Sequence, residues 1–304
     1  MNKSGTFFDF KERFNNEDVC RKHLFNVRWP NGFECPKCSN GSYYLIKKRN
    51  TFQCTACRYQ ASVTAGTVMD KTRVTLEKWF WAIFKFVTDK RGYSATALHI
   101  DLGVGYKTAW YMLQRLRTAM FEHECEQTLS GLVEVDEVYF GGSDDETEDE
   151  TVKRGRGTDK IKAFVAVSIT DEGKPNEIKI ETAEALDTDA AVAFAKYNVE
   201  KGSVIATDKY PIYNSLTANG YEHQAKAFEP KVDKKHLKWL HTIISNAKAL
   251  FVGTYHGLDK KHFQFYLSEF CFRFNHRKNK NSLINQLLVG CILTEKISYA
   301  ELTR

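Results

Sequence analysis

Two kinds of hydrophobic pattern divide the chain, and the change falls near Met120. Before it, Leu76–Thr88 is a strongly apolar helix opened by Thr75 as N-cap. Ser94 caps a second helix that runs to Leu102, Gly103-Val104-Gly105 breaks it, and Tyr106–Arg117 resumes it. Further upstream, Tyr43–Ile46 and Thr51–Gln53 are strand-like and flank Lys47-Lys48-Arg49-Asn50 as a hairpin. After Met120 the pattern becomes α/β: strands over 132–140, 162–169 and 177–181, an Ala-rich helix over Thr188–Val199, and a short strand, Ser203–Asp208. Between the first two strands, the acidic then basic tract 143–157 holds no core-forming residues and reads as a mobile loop.

The 304 residues leave room for two or three modest domains. An apolar fraction of 42% and an aromatic fraction of 13% fit packed cores and exclude a disordered chain. No apolar run approaches the roughly 20 residues of a membrane span, and the first six residues lack a signal-peptide core. The expected location is therefore cytoplasmic, with no membrane partner. A net charge of +6 leans toward polyanions without carrying a nucleic-acid assignment unaided.

Four of the eight cysteines change that picture. Cys35-x2-Cys38 and Cys54-x2-Cys57 are separated by fifteen residues, a spacing that reads as structural zinc. Each pair presents two thiolates, and four sulfurs complete a closed tetrahedron around one ion. With the hairpin between the pairs, this is a zinc ribbon over 31–65, preceded by an N-terminal helical segment, 1–30. Cys20, Cys125, Cys271 and Cys291 are isolated and read as core residues.

The helices over 70–125 have the layout of a helix-turn-helix, whose second helix enters a major groove. Lys107, Thr108, Tyr111 and Arg115 on that helix are the candidate DNA contacts, against the plainer reading of a helical hairpin.

In the α/β part, Asp136 stands near the middle of the strand Leu132–Phe140 and shares a face with Glu134, while Glu137 faces the other way. A carboxylate near a sheet core needs a partner, either an arginine or a divalent metal. Three strands, a helix and a strand tipped by Asp208 follow the order of a ribonuclease H-like core. There the first and fourth strands lie side by side, so Asp136 and Asp208 could hold Mg2+ or Mn2+ together. The predicted fold is thus an α/β ribonuclease H-like domain over 128–280, a mixed sheet flanked by helices, with a C-terminal helical tail over 281–304.

Val133–Gly142, Thr207-Asp208-Lys209-Tyr210, Gly253-Thr254-Tyr255-His256-Gly257 and Tyr266–Asn275 together resemble the IS1595-type (ISXO2-like) insertion-sequence transposases. The resemblance covers nearly the whole chain, ribbon and helical module included. It implies an enzyme that cuts double-stranded DNA at element ends and joins the freed 3′-hydroxyls to target DNA, working as a homodimer or higher on DNA. By the same resemblance Asp136 and Asp208 match the first two metal-binding carboxylates, Asn246 matches the third position, and Lys248 is the accompanying base. Asn246 offers a neutral carbonyl oxygen. His241 and Glu269 are the competing third ligands, although nitrogen suits magnesium poorly and Arg273 at i+4 is a ready partner for Glu269; a site with no third protein ligand is the remaining option. Arg273 and Arg277 end the helix Lys260–Arg277 with positive charge suited to a DNA track, and His256 is a candidate contact to the DNA backbone. Two rivals remain: a transposase-derived DNA-binding protein that no longer cuts, and a nuclease of the same fold that hydrolyses without joining.

Overall fold

The computed structural model describes residues 6–141, 160–226, 237–255, 257–278 and 280–303. The charged tract 143–157 and His256 lie outside them. The chain forms two compact units, one of residues 1–123 with 276–304 and the other of residues 124–275.

In the first unit, helices α1 (Phe7–Arg13) and α2 (Glu17–Arg28) precede a three-stranded antiparallel sheet, β1 (Tyr43–Ile46), β2 (Thr51–Cys54) and β3 (Gln60–Ala61). Phe25, Trp29, Phe33, Tyr43 and Phe52 pack ring against ring, with centroids 4.9–6.1 Å apart, and supply the ribbon with a small aromatic core. Helix α3 (Leu76–Thr88) is capped by Thr75 as expected, and Glu17 also accepts from the Leu76 and Glu77 amides at 2.7 and 3.3 Å. Helix α4 (Ala95–Leu102) starts on the Ser94 hydroxyl and ends on Gly103 at φ +57, a left-handed C-cap that glycine adopts without a Cβ penalty. Helix α5 (Tyr106–Cys125) runs two turns beyond the expected Arg117.

The second unit holds a five-stranded sheet in the order β6-β5-β4-β7-β8. Strands β4 (Leu132–Phe140), β5 (Ile161–Ile169) and β6 (Pro175–Ala183) form an antiparallel meander. Helix α6 (Thr188–Asn198) crosses over so that β7 (Val204–Thr207) lies parallel to β4, and β8 (Glu222–Ala225) lies parallel to β7. That order and polarity is the ribonuclease H-like sheet. One face packs on α6 and on a 3-10 helix, Pro211–Asn219, through Val133, Val135, Phe164, Phe194 and Tyr213. The other face packs on α7 (Lys238–Thr254) and α8 (Phe263–Asn275) through Val138, Phe140, Val165, Ile243, Phe251 and Leu267. The expected helix Lys260–Arg277 is shorter than its charge pattern suggested, because a 3-10 turn over Lys260–His262 precedes it.

The C-terminal tail is not a separate appendage. Helix α9 (Lys280–Leu293) buries Leu283, Ile284, Leu287, Leu288, Cys291 and Ile292 against α2 and α3 of the first unit. A last helix, α10 (Tyr299–Thr303), follows. Among the described residues no helix is long and apolar enough to cross a membrane.

Candidate functional site

The last registered pair of β4 and β7 is Glu134 opposite Ala206. Two residues on, the same parallel register sets Asp136 beside Asp208, both on the face that carries α7. The Asp208 carboxylate is oriented by the Tyr210 amide, which donates to Oδ1 at 2.9 Å; the Glu137 amide likewise donates to Asp136 Oδ1 at 2.9 Å. Burial first, then the charges of Glu137 and Asp208, against the opposing effect of the Glu137 amide, together push the Asp136 carboxyl up to about 7. No cation among the described residues offsets this repulsion. Two adjacent carboxylates with no resident positive partner suit a hard divalent ion such as Mg2+ or Mn2+. Among the described residues, no third His, Cys or carboxylate joins them closely enough to share one ion.

The neighbouring acids have other work. Glu134 Oε2 accepts from the Leu240 amide at 3.3 Å. Helix α7 has no side-chain cap of its own, since Leu237 takes the N-cap position in left-handed geometry at φ +47. Glu134 therefore satisfies one of the orphan amides at that helix start and meets the positive end of its dipole. Glu137, on the opposite face, accepts from the Tyr213 hydroxyl at 3.0 Å. Burial and the three nearby carboxylates hold that phenol well above its ordinary pKa.

Helix α7 tracks β4. Leu240 meets Glu134 at one end, and the Phe251 ring meets Phe140 at 5.6 Å at the other. Eleven helical residues span about 16 Å and six strand residues about 20 Å, so the two run together. Asn246 falls between these anchors, exposed on one flank of the buried stripe Leu240, Ile243, Ala247, Leu250 and Phe251. Lys248 is about 200° further round the helix, on the other flank. It lines a cavity with Tyr139, Gly141, Lys160 and Ile161, at the β5 side of β4. The Asn246 flank consequently turns toward β7, the strand of Asp208, and Lys248 turns away from it.

Glu269 is fully buried on α8. Its Oε1 pairs with Arg273 at 2.5 Å and accepts from the Tyr255 hydroxyl at 2.6 Å. Helix α8 lies over β6, where Gln264 bonds to Thr182 and Ile180, so β5 and β4 separate it from β7. Glu269 and Arg273 are thus a structural ion pair; neither the ligand role weighed for the first nor the DNA track expected of the second fits a pair so enclosed.

In the ribbon, the Sγ atoms of Cys35, Cys38, Cys54 and Cys57 lie within 4.8 Å of one another, with Cys35–Cys57 and Cys38–Cys54 both at 3.6 Å. A tetrahedron with Zn–S near 2.3 Å needs sulfurs about 3.8 Å apart, so the four thiols fit zinc. The two knuckles match. Ser39 and Arg58, each just past its second cysteine, are left-handed at φ +56 and +60 and donate to the carbonyls of Cys35 and Cys54. Backbone amides of Cys57 and Ala56 draw the Cys54 thiol down to about 6, toward the thiolate a metal requires.

Residues 128–275 match the ISXO2-like transposase domain, and residues 15–60 match the transposase zinc-ribbon domain. The chain belongs to the IS1595-type transposases. A protein described as uncharacterized in the transposable element ISH50 of Halobacterium salinarum is 29% identical over 206 residues, which is 64% of this chain and 67% of that protein. Among solved structures, the Mos1 mariner paired-end complex with Mn is similar over 70% of this chain and 79% of that one, at 11% identity and a TM-score of 0.23. A pre-cleavage Mos1 transpososome covers 69% and 78% at 10% identity and a TM-score of 0.20.

The transposase keeps the helix–turn–helix order of α4 and α5, but most of α5 is interior. Lys107 and Thr108 are exposed on its first turn. Arg115 is only 7% exposed; it donates to the Asp70 carbonyl and the Tyr111 hydroxyl, and Tyr111 donates to the Ile297 carbonyl at 2.7 Å. Both belong to the packing of the first unit, because Arg115 is buried on the Asp70 carbonyl and the Tyr111 hydroxyl and Tyr111 is bound to the Ile297 carbonyl. Arg277 is exposed beyond α8. Sequence reasoning missed the Tyr213–Glu137 bond and the α7 cap by Glu134, since their partners lie 76 and 106 residues apart. It also missed Lys160, which carries no local motif.

Proposed function

We propose that this transposase hydrolyses DNA phosphodiesters at the ends of its element and joins the freed 3′-hydroxyls to target DNA, in a reaction dependent on Mg2+ or Mn2+. The observation that carries the reading is the Asp136–Asp208 pair, one in the middle of β4 and the other just past the end of the parallel β7, mutually repelling and without a cation among the described residues. Asp136 and Asp208 hold the ion, and Asn246 supplies a neutral oxygen from the α7 flank that turns toward β7. When bound, such an ion acts as a Lewis acid on the phosphate and lowers the pKa of the attacking water. Glu137 and Tyr213 brace Asp136 from the far face, and Glu134 fixes the start of the helix that carries Asn246. No side chain of this set is a nucleophile poised for a covalent intermediate, so water or a 3′-hydroxyl attacks directly.

Zinc is structural, closed in by four sulfurs. Double-stranded DNA is the partner, met by the exposed first turn of α5 through Lys107 and Thr108 and by Arg277. Pairing two element ends requires at least a dimer on DNA. The test is strand joining of an end-containing duplex to a plasmid. Wild type is expected to give joined product only with divalent metal, and Asp136→Ala to lose it while still shifting the duplex in a gel. Cuts without joined product would make the protein a nuclease, and joining by Asp136→Ala would refute the site.

A further inference from the structure

The second unit holds a cavity of about 490 Å3 further along β4 from Asp136, with neither aspartate in its wall. It opens where β4 ends and β5 begins, under the C-terminal half of α7. Its floor is aromatic. Phe140, Phe251 and Phe263 are all buried and lie with ring centroids 4.9–5.6 Å apart, and Tyr255 and the chain at Tyr139 line the sides. Among the described residues, the charged ones on its wall are Lys160 and Lys248, both cationic, with no acid beside them. Val252 stands at its edge 74% exposed, an apolar side chain that nothing else in the described fold covers.

An aromatic floor under two lysines selects a ligand that is flat and apolar at one end and anionic at the other. A peptide offers both only by chance of sequence; every nucleotide offers both. Bases stack on aromatic rings whatever their identity, and lysines meet the phosphates as point charges. The volume, in the range of small-molecule sites, exceeds what one base needs. The position also fits. Asp136 and Phe140 are four residues apart on β4, about 13 Å, or about four steps of stacked DNA at 3.4 Å per step. Helix α7 carries Asn246 on one flank and Lys248, Val252 and Tyr255 around the cavity on the other, so one strand and one helix border both features.

We propose that this cavity receives an unstacked nucleotide of the DNA strand, a few positions from the phosphodiester held at Asp136 and Asp208. The proposal rests on the DNA-processing reading above. Holding a base out of the stack near the reacting bond keeps the duplex end open and fixes the strand's register, at the cost of unstacking, which is least where a base is already unpaired.

The test uses the full chain and two 30-base-pair duplexes of the same sequence. One is fully paired; the other carries a single unpaired 2-aminopurine four positions from one end. Wild type is expected to bind the unpaired duplex about tenfold more tightly and to quench the 2-aminopurine emission as the base stacks. Val252→Glu places a carboxylate at the edge of the cavity without removing core. It is expected to melt like wild type and to bind the paired duplex equally well, but to lose both the preference and the quenching. Lys160→Ala, which leaves the floor intact, is expected to reduce the preference about threefold. If wild type binds both duplexes equally, or Val252→Glu keeps the preference, the cavity proposal falls while DNA binding stands. If wild type binds neither duplex, the DNA-processing reading falls with it. If Val252→Glu instead abolishes self-association in sedimentation and spares the base preference, the cavity belongs to a protein partner and the proposal is overturned.

Discussion

Glu134, Asp136 and Glu137 lie within four residues of one strand and meet three different environments. Glu134 ends at the amides of α7, Glu137 under the Tyr213 hydroxyl, and Asp136 beside Asp208 with no cation among the described residues. The repulsion on Asp136 costs stability whenever no metal is bound. Asp136→Asn should therefore raise the metal-free melting temperature by about 2–4 °C if it relieves about 1 kcal/mol, a shift that scanning calorimetry in EDTA would detect; an unchanged or lower value would mean the carboxylate is already compensated. Glu134→Gln keeps an acceptor but removes the charge facing the helix dipole, and Glu134→Ala removes the cap altogether. The alanine variant should lose about 1 kcal/mol, read as a lower urea midpoint, with the glutamine variant between it and wild type. At this scale the sequence made the carboxylate pair legible, because an aspartate inside an apolar strand and another at a strand tip are unusual in themselves. It left Glu134 and Glu137 unresolved, because what an acid does depends on a partner brought in by the fold.

Elements differ in how much of their cause is local. Helix α3 starts and stops where its Thr75 cap and apolar run predict, and the ribbon follows from two cysteine pairs and a hairpin. Strand β8, Glu-His-Gln-Ala, has no hydrophobic alternation, since it is a mostly exposed edge strand whose identity comes from pairing with β7. Two expectations belong here. Chelation of zinc should unfold the ribbon, because its small aromatic core is held closed by the four sulfurs; Cys54→Ser should lower the zinc content below one ion per chain in elemental analysis and mimic the chelated state. His23, wedged edge-on against Phe14 and Phe80, is held below its ordinary pKa by burial and by nearby Arg13. The folded form resists protonation that the unfolded chain accepts, so this contribution is present above pH 6.5 and lost as pH falls below it. Replacing His23 with Gln should flatten the acid side of the stability profile below about pH 6.5; an equally steep profile would place the acid sensitivity elsewhere.

On the scale of the whole molecule, the chain leaves its first unit at residue 124 and returns to it at 276. That return was not legible. The run Leu283–Leu293 reads as a generic apolar helix, and nothing local says that it completes a core begun by α2 and α3. The second unit, by contrast, is continuous, so residues 124–275 are expected to melt cooperatively as an isolated fragment. Truncation after Arg277 should strip the first unit of its α9 core and yield a protein whose N-terminal half loses hydrogen-exchange protection while the strands of 124–275 keep theirs. Equal protection of both halves would contradict this division.

Asp136 and Asp208 are expected to hold one functional cation with help from Asn246. Manganese(II) binding followed by electron paramagnetic resonance, on zinc-loaded protein at neutral pH, tests it directly. Wild type should take up Mn2+ with loss of the free-ion signal. Asp136→Asn and Asp208→Asn should each abolish that uptake, and Asn246→Ala should weaken it. Uptake unchanged in both aspartate variants would contradict the account.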